Sequence, residues 1–126
     1  FVKGIINKNP VFINGDGEQT RDFTFIDNAV QVNIKGMLTE NKDAMKKVYN
    51  VAVGENYSVN YLYNACKEYL ESDWEPTYRE PRAGDIRNSL ADISLAQKYL
   101  GYQPTRKFED GLTETIEFFK QMYSNR

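Results

Sequence analysis

This 126-residue sequence has no histidine and only one cysteine, Cys66. Disulfides, thiolate zinc sites and histidine-based catalytic triads therefore cannot be assembled from it. No apolar run approaches the length of a membrane span, and the first residues lack the basic and apolar regions of a signal peptide. A cytoplasmic protein that does not engage membranes is the resulting expectation. Neither sign of charge dominates, with 16 basic against 18 acidic side chains. That balance removes any broad electrostatic reason to bind nucleic acid, so an anion site has to be local. Beginning at Phe1 rather than at a methionine, the sequence reads as the interior of a longer one. What it does contain, 40% apolar and 13% aromatic residues, is enough for one compact domain over 1–126 with little core to spare.

Two segments carry most of the chemical information: GDGEQTRDF at 15–23 and PRAGDIRNSLAD at 81–92. Each sets an arginine beside turn-forming glycines and a carboxylate, which suits a phosphorylated, hydroxyl-rich ligand. Around the first, VFI at 11–13 and DFTFI at 22–26 flank Asn14-Gly15 and Asp16-Gly17, which predicts a β-hairpin or a tight turn. Asp27 is placed to cap a helix running to about Glu40, with Val30, Ile34, Met37 and Leu38 on one face. KVYNVAV at 47–53 reads as a buried strand, and Ser58 as the cap of a helix through Leu62, Cys66 and Leu70. The stretch from Asp73 to Ser89 is irregular. Asp92 caps a short helix that stops at Gly101, and Phe108, Leu112, Ile116 and Phe119 mark a last amphipathic helix.

The succession GDGEQTRDFTFIDNAVQ, VYNVAVG, PRAGDIRNSLADISLAQKYLGYQP and FEDGLTETIEFF resembles the C-terminal substrate domain of the extended short-chain dehydrogenase/reductase family. The likeness is nearest to NAD-dependent nucleotide-sugar epimerases of the UDP-glucose and UDP-N-acetylglucosamine 4-epimerase type. Related 4,6-dehydratases, decarboxylases and uronate epimerases have similar motifs, and a stand-alone binding module that kept the fold without catalysis is the alternative from another class. The resemblance implies an α/β fold: a small mixed α/β substrate-binding domain without the N-terminal Rossmann domain. It further implies that UDP-sugar is the substrate, that NAD is bound by that other domain, and that the whole enzyme is a homodimer. In such enzymes C4 of the sugar is transiently oxidised and hydride returns to its opposite face.

Four residues inherit roles from the resemblance. Arg21 would reach the ribose or diphosphate, where a guanidinium makes paired bonds that lysine cannot reproduce. Its alternative is a surface pair with Asp22 or Glu18. Arg82 is similar to the arginine that contacts the diphosphate, and Asp85 to the carboxylate that accepts from ribose hydroxyls. A loop ion pair, or an Asp-stabilised turn at Gly84, is the other reading of Asp85. Asn50 is similar to an asparagine that touches the diphosphate in the dehydratases, and equally fits an amide bonded to backbone. Asn88 departs from the Arg-His-Ser of many relatives, although asparagine donates and accepts as neutral histidine does.

Two motifs are misleading. Gly15-Asp16-Gly17 opens like a dinucleotide fingerprint but lacks its third glycine and leads into a strand, so it reads as a turn. Tyr63 and Lys67 have the spacing of the family's catalytic pair, in which the lysine lowers the phenol's pKa. That pair belongs to the Rossmann domain in the family, and here the spacing reads as an ordinary helix face.

Overall fold

In the computed structural model, which describes residues 1–124, the elements in chain order are α1 (Val2–Ile6), β1 (Phe12–Asn14), β2 (Thr20–Arg21), α2 (Ile26–Leu38), a 3-10 turn (Lys42–Ala44), β3 (Tyr57–Ser58), α3 (Val59–Tyr69), β4 (Thr77–Arg79), α4 (Ser94–Leu100) and α5 (Phe108–Ser124). Their contacts gather into two compact units. The first holds Phe1–Arg21, Tyr57–Ser89 and the chain from Leu112; the second holds Asp22–Asn56 and Leu90–Gly111.

In the first unit the core is built from Val2 and Ile5 of α1, Val11, Ile13 of β1, Tyr63 and Cys66 of α3, and Ile116 of α5. Helix α3 forms where the sequence predicts it: the Ser58 hydroxyl accepts from the Tyr61 N–H at 3.0 Å, satisfying one of the donors a helix start leaves open. Helix α5 turns the predicted Ile116 fully inward and leaves Leu112 and Phe119 partly buried. Burial pushes the Cys66 thiol up to about 11, which makes it an inert core group.

The predicted hairpin is a turn whose strands pair elsewhere. β1 runs parallel to β4, with Ile13 opposite Tyr78, and β2 runs antiparallel to β3, with Arg21 opposite Tyr57. A two-residue hairpin turn would keep β1 and β2 together. Here Gly15 and Gly17 both take positive φ, +73° and +77°, and the five intervening residues carry the chain away. The turn is fastened by Gln19, whose amide donates to the Asn14 carbonyl at 2.8 Å, and by Asp16, whose carboxylate accepts from the Glu18 N–H at 3.0 Å.

Gly17 is the tightest point of that turn. A Cβ built there would lie 1.9 Å from the Asn60 side-chain oxygen. Asn60 cannot easily withdraw, because its amide donates to the Asp16 carbonyl at 2.9 Å and to Glu18 at 2.6 Å, and its oxygen accepts from the Tyr78 hydroxyl. Gly17→Ala is therefore expected to cost about 2 kcal/mol, from the left-handed backbone together with the clash. At this size that corresponds to a thermal midpoint lower by roughly 5–10 °C. An unchanged melting curve by circular dichroism would show that the turn is not constrained in this way.

The second unit packs Val32 of α2, Ala52, Ile93, Ala96 of α4 and Tyr102 into a small core. Tyr102 is fully buried and its hydroxyl donates to the Ala52 carbonyl at 2.8 Å. Ile93, not the expected Asp92, holds the capping position of α4; Asp92 stands one residue before it, its carboxylate accepting from the Ser94 N–H at 2.9 Å, and Gly101 closes that helix at φ +60°.

Other expectations are corrected in this unit as well. Helix α2 forms, but it begins at Ile26 with Phe25 in the capping position, so Asp27 lies in its first turn instead of capping it, and the apolar face read from the sequence is exposed. Val30 is 48% exposed, Ile34 50%, Met37 83% and Leu38 74%, while the buried positions are Asn28 and Val32. Residues 47–53 form no strand, since no other segment among the described residues pairs with them. A strand requires a neighbour to complete its ladder, and apolar sequence cannot supply one.

Candidate functional site

Strand β2 brings the two arginine segments together within the first unit. Besides pairing with β3, Thr20 forms an isolated parallel bridge with Asn88: its N–H donates to the Arg87 carbonyl at 2.8 Å, and its carbonyl accepts from the Ser89 N–H at 3.2 Å. At the other end, the Gly15 N–H donates to the carbonyl of Arg79, the last residue of β4, at 2.9 Å. The arginine loop is thus tied at both ends to the segment that carries the glycine turn. Between those ties it turns at Arg82–Asp85: the Asp85 N–H donates to the Arg82 carbonyl at 3.1 Å, with Gly84 at φ +78° in the third position, where a type II turn needs a glycine.

Between turn and loop lies a cleft of about 450 Å³, walled by Asn14, Gly15, Asp16, Gln19 and by the loop from Arg79 through Arg82 and Asp85 to Arg87. Arg21 is anchored at its edge. One guanidinium nitrogen donates to the carbonyls of Thr20, at 2.7 Å, and Ile86, at 2.6 Å, and the other pairs with Asp85. A guanidinium has five N–H donors, so the Nε–H and one Nη2–H remain for an acceptor. Neither Asp22 nor Glu18 is its partner. Asp22 instead accepts from the N–H groups of Val53 and Gly54, both at 2.9 Å, within the second unit.

Of the four residues that sequence reasoning singles out, Arg21 and Asp85 meet directly, and Arg82 joins Asp85 in the cleft wall. Arg82 is exposed and is bonded through its side chain to no other described residue. Asn50 belongs to the second unit, where its exposed amide donates to the Asp92 carbonyl at 3.2 Å. Sequence reasoning missed a second ion pair, Arg87 to Asp16 at 2.6 Å. The Arg87 guanidinium, helped by the Glu18 N–H, holds the Asp16 carboxyl below its ordinary range. Nothing in the spacing of residues 16 and 87 could have announced that contact.

The two misleading motifs are resolved as read. The glycine turn runs into β2, not into the helix that follows the glycines of a dinucleotide fingerprint. Tyr63 is 1% exposed, donates to the Trp74 carbonyl at 2.7 Å and has its pKa raised by burial, while Lys67 pairs with Glu75. A catalytic phenol would need the opposite shift and an open face. No group of three or more potential metal ligands occurs among the described residues, and no helix there is long and apolar enough to cross a membrane.

The sequence profile of the family described as GDP-mannose 4,6 dehydratase matches residues 2–115. The chain belongs to that family. The chain is similar to UDP-glucose 4-epimerase from Mycolicibacterium smegmatis, 30% identical over 95% of this chain and 37% of its own length. Among solved structures, UDP-glucose 4-epimerase from Thermotoga maritima, crystallised with UDP-glucose, superposes with a TM-score of 0.88 at 34% identity, over 96% of this chain and 38% of that one. UDP-glucuronic acid 4-epimerase from Bacillus cereus, solved with UDP-glucuronic acid and NAD, gives 0.89 at 30% identity, over 97% of this chain and 38% of that one. The chain therefore spans a little over a third of the length of these relatives, and its fold is that of their C-terminal portion.

Proposed function

We propose that this chain is the nucleotide-sugar-binding part of an NAD-dependent UDP-sugar 4-epimerase, and that Arg21, Arg82 and Asp85 hold the nucleoside diphosphate. The observation that carries this reading is the cleft between the glycine turn and the arginine loop, where Arg82 is uncommitted and Arg21 keeps two donors in reserve. A guanidinium grips a diphosphate through short, charge-assisted bonds, and a carboxylate such as Asp85 accepts from ribose hydroxyls. Asn50, bonded to the Asp92 carbonyl in the second unit, is given no part in this cleft. Supporting the reading, relatives at similar fold carry UDP-sugars in their crystals. This chain's residues are assigned binding and orientation, and the redox step is assigned to an N-terminal Rossmann domain. The whole enzyme is taken to be a cytoplasmic homodimer.

A 4,6-dehydratase acting on a GDP-sugar is the second reading, favoured by the family profile itself. Titrating the chain with UDP-glucose and with GDP-mannose, followed by amide chemical shifts, separates the two. Millimolar binding of UDP-glucose with shifts at 15–21 and 82–88, and no turnover when NAD is added, is the expected result. Preference for GDP-mannose would favour the dehydratase, and robust epimerisation by this chain would refute the division of labour.

The exposed apolar face of α2, with Ile26 at its start, and the exposed Val48 of the unpaired 47–53 segment are assigned to the Rossmann domain as its docking surface. Contiguous apolar surface of this kind marks an interface, and the relatives are long enough to supply one. Supplying that domain in trans is expected to slow hydrogen exchange at Val51, whereas the Val53 N–H is already held by Asp22. Unchanged exchange would argue against pairing there.

A further inference from the structure

We infer that Arg79, whose guanidinium lies over the Phe12 ring, is a second diphosphate-binding residue of the same cleft, working beside Arg82. The inference rests on the nucleotide-binding reading above and adds to it a residue that neither arginine motif contains. Arg79 ends β4 directly opposite Asn14 of β1, and its carbonyl receives the Gly15 N–H, so its backbone is fixed against the glycine turn. Its guanidinium carbon lies 3.0 Å from the centre of the Phe12 ring. Phe12 itself is 39% exposed, and the guanidinium covers an aromatic face that would otherwise meet water.

This geometry leaves a cation prepared for a ligand. Stacking uses the flat face of a guanidinium and none of its five in-plane donors. No carboxylate or carbonyl among the described residues bonds to the Arg79 side chain. The charges around the cleft point the same way. Of its lining cations Arg87 is neutralised by Asp16, and of its carboxylates Asp85 is neutralised by Arg21. Arg79 and Arg82 then stand against Glu80 alone. Two guanidiniums three residues apart match a ligand with two linked phosphates, each able to take a paired set of donors. Phe12 contributes by holding the Arg79 fork in place, so that less side-chain freedom is lost on binding.

The test is an amide-shift titration of the chain with UDP, inorganic pyrophosphate and uridine at fixed ionic strength. The proteins are wild type, Arg79→Ala, Arg79→Lys and Phe12→Leu, with thermal melts to check folding; all these sites are exposed. Arg79→Ala is expected to weaken UDP and pyrophosphate about tenfold while leaving uridine unchanged. Arg79→Lys, which keeps the charge but loses the fork, and Phe12→Leu, which removes the platform, should each lose about threefold. UDP binding equal to wild type in Arg79→Ala overturns the inference and leaves the proposed function standing. Equal losses for uridine and UDP would move Arg79 to the base and overturn the phosphate assignment. A wild-type chain that responds to neither UDP nor pyrophosphate overturns both.

Discussion

Replacing Asn28 with alanine is expected to destabilise the protein by about 3 kcal/mol, measured as a lower denaturant midpoint at unchanged slope. Asn28 is the one fully buried polar residue of the described core, and its side chain replaces backbone partners that the chain does not otherwise provide. Its amide donates to the Arg106 carbonyl at 2.8 Å, and its oxygen accepts from the N–H groups of Thr105, at 2.9 Å, and Arg106, at 3.2 Å. Truncation strands two donors and an acceptor, each costing about 1–3 kcal/mol if water cannot reach it. It also frees the 105–106 segment from the first turns of α2. The neighbouring Arg106–Asp27 pair lies at the surface and offers little compensation. A loss below about 1 kcal/mol would mean that water replaces all three bonds and that the loop is held by other contacts.

Local signals were legible in the sequence, and long-range pairings were not. Ser58, Asp92 and Gly101 mark helix ends through groups within three residues of themselves, so their spacing is sufficient. The glycine turn was legible for the same reason. Which strands the turn joins was not, because Phe12 finds Thr77 and Arg21 finds Tyr57 only after the chain has folded back. Helix α2 exposes a different limit. Its apolar period correctly announces a helix with a face to be covered, but periodicity is silent about what covers it, and in this chain that face is open. The same holds for 47–53, whose apolar residues fit a strand and find no ladder.

At the site, Arg82 and Asp85 could be grouped from their shared turn, whereas the Arg21–Asp85 pair links residues 64 positions apart. Arg79 carried no signal at all in the sequence, since its meaning depends on Phe12 lying beside it in a parallel ladder. Reading alone therefore located the loop and the glycine turn. It took the fold to show that β2 is the element that joins them.

That distinction sets the expected contrast between the two arginines with inherited roles. Arg82→Ala is expected to weaken UDP binding by tenfold to a hundredfold, about 1.4–2.8 kcal/mol, with a melting temperature within a degree or so of wild type. The side chain is exposed and makes no bond to the protein that its removal would break, so the loss falls on the ligand. Arg21→Ala behaves differently, because the same side chain holds the Ile86 carbonyl and Asp85. Removing it should loosen the 82–88 loop as well as weaken UDP, with faster amide exchange in that loop before any ligand is added. Calorimetry on the two variants, read beside their melting curves, separates a residue that grips the ligand from one that also shapes the grip. UDP affinity unchanged in Arg82→Ala would remove Arg82 from the site, and equal melting losses in both variants would show that its apparent freedom in the cleft conceals a structural role.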